Sequence, residues 1–175
     1  MSADRAATIL ARFSAAQQSF LSKLRELDPE GAEHHPSVES WSAAQIGAHV
    51  AMANEWTAAV LLGSTPLAQP APAGFTEQYS TNRGSGVAWN VKAFPLHPPD
   101  VISLDNTVER LRTSGHHLSR AIASLTAERG AGYTITLPVG TLSLFELAEY
   151  TVAHVSRHSA QLDPSQAHAR GAART

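Results

Sequence analysis

His154 and His158 stand four residues apart, a spacing that puts both imidazoles on one face of a helix, one turn from each other. Two ring nitrogens so placed can converge on a divalent cation at about 2 Å from each. Spacing alone is a weak signal here, because nine histidines in 175 residues produce about half such a pair by chance. Position says more. Both fall on the inward stripe Leu144, Leu147, Thr151, His154, His158 and Gln161/Leu162, and His49 falls on the inward stripe Ile46, His49, Ala53, Trp56 and Val60. Burying three imidazoles together is costly unless their nitrogens are satisfied. A divalent cation does that, and so does a hydrogen-bonded polar cluster.

Other residues are candidates around this trio. Gln161, three after His158, can reach the site or orient an imidazole. Trp56 and Met52 follow His49 by a turn or two and read as core, with a pocket wall as the alternative. Tyr79, Arg83 and Trp89 are candidate substrate contacts from a long loop, where an arginine suits a carboxylate. Tyr150 reads as core. His116 and His117 follow Gly115 on a helix, with at least one exposed, while His34, His35, His97 and His168 lie in loops or the tail. His97 can approach the trio if its loop folds over it. Helical spacing turns Glu146, Glu149 and Asp163 away from the His154/His158 face, and Glu55 away from the His49 stripe, so capping or solvated surface is their expected role. Glu77 or Tyr79 remains as a possible base.

Four helices must position these groups. Ile9, Phe13, Ala16, Phe20, Leu24 and Leu27 mark a helix over about 3–27, ended by Asp28-Pro29-Glu30-Gly31. Ser42 and Gln45 have the form of a capping box for a second helix reaching about Leu62. Leu104, Val108, Leu111, Gly115, Leu118, Ile122 and Leu125 mark a third, stopped by Gly130 and Gly132. Tyr133–Leu137 is β-like and short, followed by the turn residues Pro138-Val139-Gly140. Ser143 and Glu146 form a second capping box, opening a fourth helix that Pro164 ends. The Pro- and Gly-rich stretch 63–100 is a surface linker or a lid, with room for a short helix around Phe75–Tyr79. The expectation is an all-α four-helix bundle over 1–163, with a long crossover between helices two and three, and a frayed tail over 164–175.

Composition narrows the function. The 43% hydrophobic content supports a core, and the net charge of −2 leaves no basic footprint for nucleic acid. Cysteine is absent, which removes disulfides, a protein thiolate and Cys-based metal sites. The N-terminal residues lack the pattern of a signal peptide, and no apolar run approaches the ~20 residues of a membrane span. A cytoplasmic protein is expected.

The segments Trp41-Ser42-Ala43-Ala44-Gln45-Ile46-Gly47-Ala48-His49 and His154-Val155-Ser156-Arg157-His158-Ser159-Ala160-Gln161 resemble the helix-two and helix-four signatures of the DinB/YfiT-like superfamily. The stretch Leu137–Glu146 is similar to the lead into that last helix. This resemblance implies an up-down-down-up bundle and a Zn2+ or Ni2+ site whose ligands are His49, His154 and His158. Gln45, a candidate for holding a ligand or meeting substrate besides capping its helix, departs from the pattern, since members often carry Glu there. The resemblance also implies a reaction class, because members include transferases and isomerases that use mycothiol or bacillithiol.

Three histidines leave a tetrahedral metal one open position. A water acidified there to a pKa near ~7 can attack an ester, amide or lactone. A low-molecular-weight thiol held there as thiolate can attack an electrophile instead. With no base evident beside the trio and no cysteine in the chain, thiol transfer is the leading expectation. Hydrolysis is the rival within enzymes. A non-enzymatic metal- or ligand-binding stress protein, or a plain dimerising bundle with a polar core cluster, stands outside them. The expected partners are a small molecule and a second copy of the chain, with neither nucleic acid nor membrane.

Overall fold

The computed structural model describes residues 2–37, 40–78 and 96–163. Among these the chain forms six helices, α1 (Ser2–Arg25), α2 (Pro29–Glu33), α3 (Ala43–Leu62), α4 (Leu104–Ala123), α5 (Ala127–Gly132) and α6 (Leu144–Gln161), and three strands, β1 (Gln69–Pro70), β2 (Tyr133–Leu137) and β3 (Gly140–Ser143). The protein is mainly helical. No described helix is long and apolar enough to cross a membrane.

Local chemistry sets the boundaries of the long helices. Ser42 Oγ accepts from the Gln45 N–H while Gln45 Oε1 accepts from the Ser42 N–H, closing a capping box at the start of α3. Gly63, at φ 74°, ends that helix in the left-handed region. Arg129 of α5 donates to the Leu61 and Val60 carbonyls, two of the acceptors that a helix end leaves unused. Ser143 and Glu146 repeat the capping box at the start of α6.

The four long helices enclose one core. Helix α1 packs on α4 and α6, and α3 packs on the same two, so α1 and α3 face each other across the bundle. Phe13, Phe20 and Leu24 of α1 meet Val50 and Leu61 of α3, Leu111, Leu118 and Ile122 of α4, and Leu144 and Leu147 of α6, all buried. Apolar burial of this kind supplies the main driving force.

Several elements differ from the sequence reading. The chain is not all helix: β2 and β3 pair antiparallel through the Pro138-Val139 turn, and β1 adds to the edge of β2 with Gln69 opposite Thr134. Strand β1 has two residues, too few for a sequence period to register. Asp28-Pro29 ends α1 but also opens α2, because the Asp28 carboxylate accepts from the Gly31 N–H and proline suits a first helical position. Helix α4 stops at Ser124, and Gly130 lies inside α5, where no room remains for a side chain beside the Phe145 ring. Residues 75–77 and Gln78 are not helical; Tyr79 and the tail 164–175 lie outside the described residues. The inward stripe read for α3 is also too narrow. Gln45, Asn54, Ala58 and Leu61 are buried as well, whereas His49 and Trp56 are half-buried.

Gly47 shows how closely α3 and α4 approach. A Cβ there would lie 2.5 Å from Thr107 Cγ2 and 3.0 Å from Leu24 Cδ1. Gly47→Ala gains up to about 1 kcal/mol of helix propensity, but overpacking costs typically about 1–3 kcal/mol. We expect a lower thermal melting temperature for Gly47→Ala; an unchanged or raised one would show that the α3–α4 contact yields freely.

Candidate metal centre

Helices α3 and α6 bring the three histidines together. His49 lies in the second turn of α3, and His154 and His158 lie one turn apart near the end of α6. His49 Nε2 and His158 Nε2 each stand 3.2 Å from His154 Nε2. The three ring centroids are 4.4–5.1 Å apart. Among the described residues, no other His, Asp or Glu joins the cluster.

The ring nitrogens turned away from the cluster fix what faces inward. His49 Nδ1 lies 2.8 Å from the Leu96 carbonyl oxygen, which can only accept, so Nδ1 carries the proton and neutral His49 presents a lone pair at Nε2. His158 Nδ1 lies 2.8 Å from Gln161 Oε1, and the same reasoning leaves His158 with a lone pair at Nε2. His154 can carry at most one proton between these two lone pairs. The cluster therefore does not satisfy itself by hydrogen bonds alone. A tetrahedral zinc with bonds of 2.0–2.1 Å separates its nitrogen donors by about 3.3 Å, close to the two 3.2 Å separations here. The residues fit a divalent cation.

Electrostatics favour the neutral, ligating form. Burial lowers the pKa of His49 below its ordinary value, with the Arg157 and His97 charges acting in the same direction and the Leu96 hydrogen bond opposing. Burial also lowers that of His154 strongly, reinforced by the charges of His158, His49 and Arg157. A buried imidazole held neutral is ready for a metal without first losing a proton.

The chain matches the family model described as the DinB superfamily over residues 12–162. The chain belongs to the DinB superfamily. No curated protein and no solved structure matches it.

In this DinB-superfamily chain the neighbouring candidates separate. Gln161 reaches His158. Gln45 caps α3 and also donates through Nε2 to the carbonyls of Pro99 and Asp100. Trp56 lies seven residues beyond His49, about 10 Å along the helix, and packs against the core, as Tyr150 does. His97 is exposed, with its ring 6.1 Å from that of Trp41, which itself lies 5.0 Å from the His49 ring. His34, His35, His116 and His117 are exposed. Tyr79, Arg83, Trp89 and His168 lie outside the described residues.

The carboxylates are engaged elsewhere. Glu55 pairs with Arg110, Glu149 with Arg5, and Asp163 with Lys23. Glu146 is buried in the α6 capping box, not on a solvated surface. Glu77 is not placed as a base: it accepts from Ser143 Oγ and pairs with Arg5. Ser143 precedes His154 by eleven residues, about 16 Å along α6. Sequence reasoning left open an approach of the 63–100 loop through His97; what it missed is that residues 96–100 bond to α3 through backbone carbonyls, which leave no mark in residue type.

The lowered pKa values predict a pH effect. Above pH 6.5, the ordinary histidine value, these imidazoles are neutral in both folded and unfolded chains. Below it the unfolded chain takes up protons first, so stability declines as pH falls toward the folded values. Urea unfolding of the metal-free chain should show this decline, with a slope of at most about 1.4 kcal/mol per pH unit per group. His154→Leu should flatten it. An equal slope in that variant would show that His154 is not held neutral by the fold.

Proposed function

We propose that His49, His154 and His158 hold a divalent cation, Zn2+ or Ni2+, and that the chain transfers a low-molecular-weight thiol of the bacillithiol or mycothiol type to an electrophile. The observation carrying the metal is the meeting of three Nε2 atoms, two of them presenting lone pairs. When bound, the cation supplies a positive charge and an open position that lower the pKa of a thiol placed there.

The protein's own groups supply orientation. Leu96 and Gln161 hold the rings of His49 and His158, and the buried position of His154 excludes water. The engaged carboxylates support thiol transfer over hydrolysis, since a hydrolase commonly places a general base beside the attacking water. Absence of cysteine requires the thiol to arrive as a cosubstrate.

Contacts along the helices support the up-down-down-up arrangement. Arg5 meets Glu149 and Lys23 meets Asp163, so α1 and α6 run alike. Thr107 meets Ala44 while the α3–α4 groove continues to Leu62 and Ser124, so those two run alike. His49 meets His154 while Thr57 meets Thr151, reversing α3 against α6. The proposed setting is one domain over 1–163 in the cytoplasm, acting on a small molecule and forming a homodimer. The net charge of −2 gives no support to binding nucleic acid.

Elemental analysis of the purified chain should find one Zn or Ni per chain, lost in His49→Ala. The loaded protein should conjugate a model electrophile with a bacillithiol-type thiol and leave aryl esters uncleaved. Ester cleavage without conjugation would favour the hydrolase, and metal without turnover on either panel would favour a binding protein.

A further inference from the structure

The strongest feature beyond the trio is the way residues 96–100 grip α3. Gln45 and His49 are four apart on α3 and so share a face. Both bind the same short segment. His49 Nδ1 donates to the Leu96 carbonyl at 2.8 Å, and Gln45 Nε2 donates to the carbonyls of Pro99 at 3.0 Å and Asp100 at 3.2 Å. Between Leu96 and Pro99 stand His97 and Pro98. Two consecutive prolines fix φ at both positions and restrict His97 to extended conformations. Pro98 is buried. The segment is therefore a stiff strap, and tying down its Pro99–Asp100 end sets where the Leu96 carbonyl points.

We propose that Gln45 is a positioning residue for the metal centre, acting through this strap to fix the tautomer and ring orientation of His49. The proposal rests on the metal reading above. Its chemical core is the two-sided amide. Gln45 Oε1 faces the Ser42 N–H, a donor, and Nε2 faces two carbonyls, both acceptors, so neither half can be exchanged. A glutamate, the residue that the superfamily pattern often has here, would keep the cap but set a carboxylate against the Pro99 and Asp100 carbonyls. The strap would be released while the helix start stayed intact. An imidazole that has lost its outer hydrogen bond binds metal roughly 10–100-fold more weakly.

Substitutions in the full chain separate cap from strap. Zinc affinity is measured by competition with a chromophoric chelator, the visible spectrum of the Co2+-loaded protein reports ligand geometry, and thermal melting of the metal-free chain reports the cap. Gln45→Glu should lower zinc affinity roughly 10–100-fold and alter the cobalt bands while melting close to the parent chain. Ser42→Ala, which removes the hydroxyl that accepts from the Gln45 N–H, should lower the melting temperature and leave zinc affinity and the cobalt bands unchanged. Pro99→Gly, which loosens the strap while keeping every residue of α3 and the backbone carbonyl that Gln45 bonds, should weaken zinc binding in the same direction as Gln45→Glu. Parental affinity and cobalt bands in both Gln45→Glu and Pro99→Gly would overturn the proposal, as would an equal loss of affinity in Ser42→Ala. Failure of the parent chain to take up zinc at all would instead overturn the metal reading, a result that the chelator titration distinguishes at once.

Discussion

Three imidazole nitrogens face one another at one end of a helical interior, and two of them present lone pairs. This arrangement is unfavourable on its own. The lone pairs of His49 and His158 compete for at most one proton on His154 Nε2, 3.2 Å from each, and a buried acceptor left without a donor is costly. The fold nevertheless enforces it from outside, through the Leu96 carbonyl on His49 and the Gln161 amide on His158. Lone pairs held in place without enough donors are preorganised for whatever satisfies them, and a dication does so most completely.

The rest of the bundle keeps α3 and α6 in the register this requires. Below the histidines, Thr57 of α3 meets Thr151 of α6. Asn54 of α3 donates to Gln17 of α1, which in turn donates to the Leu111 carbonyl of α4. These buried bonds link all four long helices, and sliding any helix by a turn would break at least one of them. At the far end, Arg5 bridges Glu77 and Glu149, tying the start of the crossover to α1 and α6. Polar bonds therefore set alignment while apolar burial sets stability.

Much of this was legible in the sequence, and the limits have physical causes. The two capping boxes placed the starts of α3 and α6 because a cap is local chemistry between residues three apart. The meeting of His49 with His154 and His158 followed from inward stripes on two helices. The precise face of α3 did not, because its Ala- and Gly-rich sequence is buried around most of its circumference and offers little polar contrast. Strand β1 and helix α2 were invisible as periods because two to five residues are too few to show one repeating. A loop folding toward the trio stood as an alternative, but the bonds of the strap at 96–100 were beyond reach for a different reason: they come from backbone carbonyls, which every residue has. Gln45 was singled out as a cap and as a candidate beside the ligands, yet the partners of its second hydrogen-bonding face lie on a segment over fifty residues away.

X-ray absorption at the zinc edge of the loaded chain tests the central claim most directly. The account predicts one zinc per chain, a first shell of three imidazole nitrogens at about 2.0 Å and one light non-imidazole ligand. A fourth imidazole closing the shell would contradict it, as would a zinc surrounded by oxygen with the histidine signature missing.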